Sequence, residues 1–176
     1  MQQKVDGGTI YPDKEFNMLN VSNIDDLTAL VDLIANKIDS DDNSEECENV
    51  KNLSSFEKTV YCAFNYHLEQ MNDGFVAVFT GYMSPLLYEI REALNQIGAE
   101  VNLELLNEAI KKVNVEGKSE EDFLIDVENE ELDHLYDEDT EDEYYDFLNN
   151  LDKKLYDCDK EDINELLIEY IKKAKE

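Results

Sequence analysis

Apolar residues recur along most of this chain at intervals of three and four positions, the spacing that places them on one face of an α-helix. Patterns typical of β-strands are scarce by comparison. Helical stripes of this kind run through residues 24–38, 54–71, 85–97, 102–113, 123–136, 144–155 and 163–174. Because a one-sided stripe has to be buried against another helix, we predict an all-α fold, a single compact bundle of seven or eight helices.

Several helix ends are marked by side chains that satisfy free backbone groups. Ser54, followed by a glutamate three residues later, predicts a capping box at the start of one helix. Ser84-Pro85 predicts another helix start, and Gly98 predicts the end of that same helix. Asp159 is expected to cap the last helix.

Two segments interrupt the helical pattern. Residues 72–74, Asn-Asp-Gly, are predicted to break the second helix, and a short apolar turn is expected over 75–82. The polar, acidic stretch 39–52 is interpreted as a loop. We therefore divide the chain into residues 1–53, an N-terminal helix and acidic loop packed on or flanking the core, and residues 54–176, the main helical domain.

The net charge is the unusual feature of the composition. The chain has 44 acidic and 15 basic residues, a formal net charge of −29, whereas a small domain more typically carries a net charge of about 2–8 in magnitude. Arg91 is the only arginine in the sequence. Affinity for nucleic acid comes mainly from cationic side chains that displace counterions, so we exclude direct binding of DNA or RNA.

The sequence also indicates the cellular setting. No apolar run approaches the roughly 18 residues that span a bilayer, no signal peptide is visible, and an anionic membrane surface would repel the chain. Three cysteines, Cys47, Cys62 and Cys158, are scattered without a CxxC pair. Such an odd set is typical of reduced thiols, so we expect a cytoplasmic protein.

The acidic residues concentrate in one run, residues 120–146, which we call the acidic segment. It holds 15 carboxylates in 27 positions and no lysine or arginine. On a helix that is about one charge per 2.7 Å of axis, comparable with about 1.7 Å for duplex DNA and 3.4 Å for one strand. Acidic runs are more often solvated surface, but a run without counter-charge costs stability. We predict that it binds a partner through Glu130, Glu131, Asp133, Asp137, Glu138, Asp139, Glu141, Asp142, Glu143 and Asp146.

No motif indicates an active site, and we predict no catalytic, cofactor-binding or metal-binding residues. The stretch that starts at Asp39 begins like an EF-hand calcium loop, but Ser44 and Val50 occupy the positions of its glycine and its bidentate glutamate. His67 lies on an apolar stripe and is expected to be a core or half-buried histidine. His134 lies among acids and is expected to be structural.

From about residue 54 onward, the chain resembles a bacterial family of acidic, all-helical, dimeric DNA-mimic proteins. The resemblance covers about two-thirds of the chain, has Asp73-Gly74 where the family usually has two glycines, and leaves residues 1–52 unmatched. Its founding member binds a transcription factor in place of DNA. The residues that carry the resemblance are 72–75 (NDGF), 93–99 (ALNQIGA), 148–156 (LNNLDKKLY), 162–167 (DINELL) and 170–171 (YI). The resemblance implies an all-α homodimer with carboxylates in place of phosphates.

Two function classes remain open, and enzymatic activity is a third with no positive feature in its favour. The first is a DNA mimic that binds a basic DNA-binding protein such as a transcription factor, a nucleoid protein or a nuclease. The alternative is an immunity- or antitoxin-like module that recognises one basic partner by shape, or a member of the resembled family that is not a DNA mimic and whose role is uncharacterised. Salt distinguishes them, because exposed charges are screened over about 8 Å at physiological ionic strength, whereas an apolar interface persists.

Overall fold

The computed structural model describes residues 20–39, 43–129, 131–137, 141–158 and 161–175, with the backbone alone at 43, 44 and 141. These ranges contain helices and no strand, which confirms the all-α prediction. The helices are α1 (Ile24–Ile38), α2 (Asn43–Lys51), α3 (Ser55–Thr80), α4 (Leu87–Ile97), α5 (Glu100–Val113), α6 (Glu120–Glu128), α7 (Glu141–Tyr156) and α8 (Ile163–Lys173). Two short 3-10 turns lie at Ser84–Leu86 and Asp133–Leu135.

The long helix α3 forms the centre of the bundle. It packs against α1, α4, α7 and α8, and its Phe56, Tyr66 and Phe75 are fully buried. Burying a large apolar side chain contributes about 1.5–3 kcal/mol, so these aromatic residues anchor the surrounding helices. The neighbour α5 packs against both α4 and α7. The acidic segment attaches to the bundle through α7 and also through α6, whose Phe123 and Val127 are buried in the core.

Most of the predicted helix ends are confirmed. The Ser54 side chain and the glutamate three residues later form a complete capping box at the start of α3. Ser84 and Pro85 open the 3-10 turn that leads into α4, but Ser84 does not cap the helix, since neither the turn nor α4 has a side-chain capping hydrogen bond. Gly98 ends α4 with a left-handed φ of 78°. The prediction for α8 is corrected: Asp159 lies outside the described residues, and the residue that caps the helix is Asp162.

The predicted loop at 39–52 is wrong over most of its length, because residues 43–51 form α2. Only Cys47 and Val50 turn apolar side chains into the core, so the stripe is too narrow to stand out among polar neighbours. Two glutamates in the first turn and Lys51 in the last match the helix dipole. Tertiary burial of two side chains and favourable end charges thus produce a helix in a segment of low apolar content.

The predicted break at 72–74 is a kink rather than a helix end. Gly74 adopts φ 72° and ψ −166°, and the helix continues through residues 75–80, which we had predicted to be a turn. The backbone N–H of Phe75 donates to the Asp152 carboxylate of α7 at 3.0 Å, and the Gln70 side chain donates to the same oxygen at 3.3 Å. A Cβ at Gly74 would overlap this carboxylate. The kink is therefore stabilised by α7, the helix that also carries much of the acidic segment.

Candidate partner-binding surface

Among the described residues, the acidic segment comprises α6, Asn129, the connection 131–137 and the first turns of α7. Six of the ten predicted partner-binding residues have described side chains, and all six are exposed to solvent: Glu131, Asp133, Asp137, Asp142, Glu143 and Asp146. Glu141 opens α7, where only its backbone is described. The remaining three, Glu130, Glu138 and Asp139, lie outside the described residues.

The connection 131–137 is held firmly on the bundle, although it contains only one short 3-10 turn. Leu132 and Leu135 are buried in the core. The His134 ring meets the Tyr144 ring of α7 edge-on, with 4.7 Å between ring centroids. Because these three side chains are anchored, the carboxylates between them are presented from a fixed backbone that adjoins the start of α7.

On α7, one face binds the core and the other carries acids. Leu148 and Leu151 are buried, whereas Asp142 and Asp146 are exposed one turn apart. Side chains at this spacing have Cβ atoms about 5–6 Å apart, and like charges there cost about 0.2–0.5 kcal/mol. A cationic ligand between the two carboxylates would relieve this repulsion.

Cations from other parts of the fold neutralise some of the acidic segment. Arg91, Lys51 and Lys118 pair with acids of α6, and Lys112 pairs with an acid of α7. All four cations lie outside residues 120–146. The ion pairs are Arg91–Glu120 at 2.8 Å, Lys51–Glu128 at 3.1 Å, Lys118–Asp126 at 2.7 Å and Lys112–Glu143. Within the described residues, no lysine or arginine pairs with Glu131, Asp133, Asp142 or Asp146. The uncompensated charge therefore lies mainly after α6, although Glu121 and Asp122 on α6 are also exposed and have no lysine or arginine partner among the described residues.

Lys112 contacts the first turns of α7. Besides its ion pair with Glu143, its Nζ lies 4.9 Å from the centroid of the Tyr144 ring and 5.7 Å from that of Phe147. Such cation–π contacts contribute about 0.5–1 kcal/mol at exposed sites. Lys112 thus joins the end of α5 to the start of α7 and withdraws one carboxylate from the acidic surface.

A concave site lies beside this surface, between α2 and α6, and we call it the α2–α6 groove. Its volume is about 790 Å³. The residues that line it are Glu45, Cys47, Glu48, Lys51, Phe79, Thr80, Gly81, Tyr82, Ser84, Pro85, Val127, Glu128, Leu132 and Tyr136. Leu132 and Tyr136 belong to the connection that also carries Glu131 and Asp133, so the groove adjoins the acidic surface.

The helix α2 forms one wall of the groove and is attached at both ends. Near its start, the Glu46 carboxylate lies beside the Tyr82 hydroxyl, which is 3.5 Å from the hydroxyl of Tyr61. At its end, Lys51 pairs with Glu128 across the groove. Burial raises the pKa of Tyr82, so this hydroxyl keeps its proton at physiological pH.

A comparison with protein families identifies the chain. The family model described as DMP19-like protein matches residues 51–174. The chain belongs to the DMP19-like protein family. This confirms the resemblance seen in the sequence, whereas comparisons with curated proteins and with solved structures gave no match.

The matched region of this DMP19-like protein contains the whole acidic segment, whereas α1 and all of α2 except Lys51 precede it. Sequence analysis missed the contribution of α2, whose Glu45, Glu46 and Glu48 approach the groove. The available signal was Cys47 and Val50 at helical spacing between acidic and basic ends.

The histidine and cysteine residues of this DMP19-like protein have structural environments. His67 is half-buried, as predicted, and burial lowers its pKa, so the ring is neutral at physiological pH. Burial raises the pKa of the Cys47 and Cys62 thiols, which lowers the fraction of reactive thiolate. In the described ranges, no cluster of three or more His, Cys, Asp or Glu side chains could hold a metal ion.

No helix among the described residues is both long and apolar enough to cross a membrane.

Proposed function

We propose that this member of the DMP19-like family is an acidic DNA mimic that occupies the DNA-binding surface of a basic protein, such as a transcription factor, a nucleoid protein or a nuclease. The observation that carries the proposal is the set Glu131, Asp133, Asp142 and Asp146. Each side chain is exposed, and none pairs with a lysine or arginine among the described residues. The other six predicted residues extend this set along the same stretch of chain.

In this proposal the carboxylates take the place of DNA phosphates, and their positions are fixed before the partner binds. Leu132, Leu135 and Leu148 are buried and hold the backbone between the acids, so little conformational entropy is lost on binding. Long-range attraction to a basic surface raises the association rate, and charge complementarity selects partners that bind DNA. Family membership supports this function, since the family takes its name from a DNA mimic protein.

A charge-reversal experiment with a matched control tests the proposal. The test variant is Glu131→Lys, Asp133→Lys, Asp142→Lys and Asp146→Lys. The control variant reverses four exposed acids on α1, α4, α5 and α8: Asp32→Lys, Glu92→Lys, Glu104→Lys and Glu169→Lys. Both variants change the net charge by the same amount, so a difference in binding between them shows that the position of the charges matters.

We expect the test variant to lose capture of the basic protein from a lysate of the source organism, while the control variant retains most of it. Circular dichroism and thermal melting establish that both variants are folded. Equal binding by the two variants would show that the affinity follows net charge alone, and the proposed surface would then be wrong.

The alternative function, recognition of one basic partner by shape, is favoured by a specific observation, the concave α2–α6 groove. Salt separates the two functions. Binding by exposed carboxylates weakens steeply between about 0.1 and 1 M salt, where the screening length falls from about 10 to 3 Å. A complex with an apolar centre would survive the same titration.

Homodimerisation, which the resemblance implies, stays a prediction for this chain. Multi-angle light scattering of the full chain at physiological ionic strength measures the mass directly. A dimer mass supports it, and a monomer mass over the range of concentrations at which the partner is bound contradicts it.

A further inference from the structure

The α2–α6 groove combines a concave shape with tyrosine rings that are exposed to solvent. The exposed carboxylates on α7 lack this combination. Tyr82 and Tyr136 both line it, yet their side chains are 40% and 54% exposed. The Tyr82 hydroxyl already lies at hydrogen-bonding distance, 3.5 Å, from the Tyr61 hydroxyl. The ring of Tyr82, rather than its hydroxyl, is therefore what it offers to a ligand.

The charges around the groove favour a cation. Glu45, Glu48 and Glu128 line it together with a single cation, Lys51. Lys51 lies 3.1 Å from Glu128 and 3.7 Å from Glu48, so it is shared between two carboxylates. Glu48 and Glu128 remain 69% and 37% exposed and can accept further hydrogen bonds.

Tyrosine rings beside carboxylates distinguish between the two cationic side chains of proteins. The arginine guanidinium is planar, stacks on aromatic rings, is weakly hydrated and donates two parallel hydrogen bonds to a carboxylate. The lysine ammonium is a compact, strongly hydrated charge. We propose that the α2–α6 groove binds an arginine side chain of the partner, with the guanidinium on a tyrosine ring and hydrogen bonded to the glutamates.

The position and size of the groove suit this role, which rests on the proposed function. Tyr136 and Leu132 lie on the same connection as Glu131 and Asp133, so one basic surface can contact the carboxylates and the groove together. The volume of about 790 Å³ falls within the range of about 300–1,000 Å³ found for ligand pockets. It admits an arginine side chain together with part of its own backbone.

Two peptides of equal charge, hexa-arginine and hexa-lysine, test the proposal on the full chain. Non-specific attraction to the acidic protein is similar for both peptides, so the ratio of their affinities isolates the guanidinium contribution. We expect hexa-arginine to bind roughly two- to fivefold more tightly for each ring engaged. Isothermal titration calorimetry measures the ratio, and amide NMR shifts at Cys47 and Gly81 report whether the groove is occupied.

Matched tyrosine variants locate the site. Tyr136→Leu removes a groove ring, and Tyr156→Leu removes a ring of similar exposure, 58%, at the end of α7 outside the groove. We expect the preference for arginine to fall in Tyr136→Leu, to disappear when Tyr82→Leu is added, and to persist in Tyr156→Leu. If the double variant does not fold, the single variant Tyr136→Leu decides alone.

The outcomes separate this proposal from the proposed function. Equal affinities of the two peptides for the wild type, or a preference for arginine that is undiminished in Tyr136→Leu, would overturn arginine binding in the groove. If both peptides still lose affinity when Asp133, Asp142 and Asp146 are reversed to lysine, the acidic surface keeps its role although the groove does not. If neither the tyrosine changes nor the reversals alter peptide binding, both proposals are wrong.

Discussion

The two parts of the acidic segment, α6 and the residues that follow it, are similarly rich in acidic residues but have different electrostatic environments. On α6, Glu120, Asp126 and Glu128 each pair with a cation that comes from another part of the fold. Beyond α6, Asp142 and Asp146 have no cationic partner among the described residues. A run of acidic residues in a sequence therefore does not show where negative charge is available, because distant lysines and arginines reach only part of it.

The difference has a physical origin in the neighbours of each part. The helix α6 lies against the turn before α4, and Arg91, Lys51 and Lys118 all lie within reach of its acids. The outer face of α7 lies opposite its packed face, away from those cations. Exposed ion pairs contribute at most about 1 kcal/mol each, but they occupy hydrogen-bonding positions that a partner would otherwise use.

The largest expected effect comes from removing unpaired acids. Asp142→Asn with Asp146→Asn should weaken partner binding roughly thirtyfold, because two exposed charge contacts of about 1 kcal/mol each are lost. Arg91→Gln with Glu120→Gln removes a whole ion pair and keeps the net charge, so binding should stay within about twofold. Surface plasmon resonance with the captured partner measures both affinities. Comparable losses in the two variants would remove the distinction between the two parts.

A smaller effect, in the opposite direction, is expected when Lys112 is removed. Lys112→Met releases Glu143, so partner affinity should rise about two- to threefold. The same change removes an exposed ion pair and the cation–π contacts with Tyr144 and Phe147. The free energy of unfolding, measured by urea denaturation, should therefore fall by about 1 kcal/mol. Unchanged affinity with lowered stability would show that Glu143 contributes nothing to binding.

Much of the fold could be predicted from the sequence, because local signals and burial agree. The capping box at Ser54 and the left-handed Gly98 both occur where the sequence places them. The helix α2 could not be predicted in the same way, since only Cys47 and Val50 form its apolar stripe. The helical continuation beyond Gly74 depends on Asp152, a residue 78 positions later, which no local pattern reveals.

The candidate site was predictable only as a stretch of chain. Composition located the acidic segment, and its exposure followed from the alternation with buried Leu132, Leu135 and Leu148. Which carboxylates are neutralised depends on tertiary contacts such as Lys51–Glu128, which joins residues far apart in sequence. The α2–α6 groove depends on the same contacts, so neither feature could be derived from spacing.

Competition with DNA tests the central claim most directly. The full chain is immobilised, the basic protein is captured from a lysate of the source organism at low salt, and duplex DNA is then titrated in. Polyglutamate at equal charge concentration serves as the control polyanion. The account predicts that duplex DNA releases a DNA-binding protein at a much lower concentration than polyglutamate does. A captured protein that stays bound at saturating DNA, or that both polymers release equally, would contradict it.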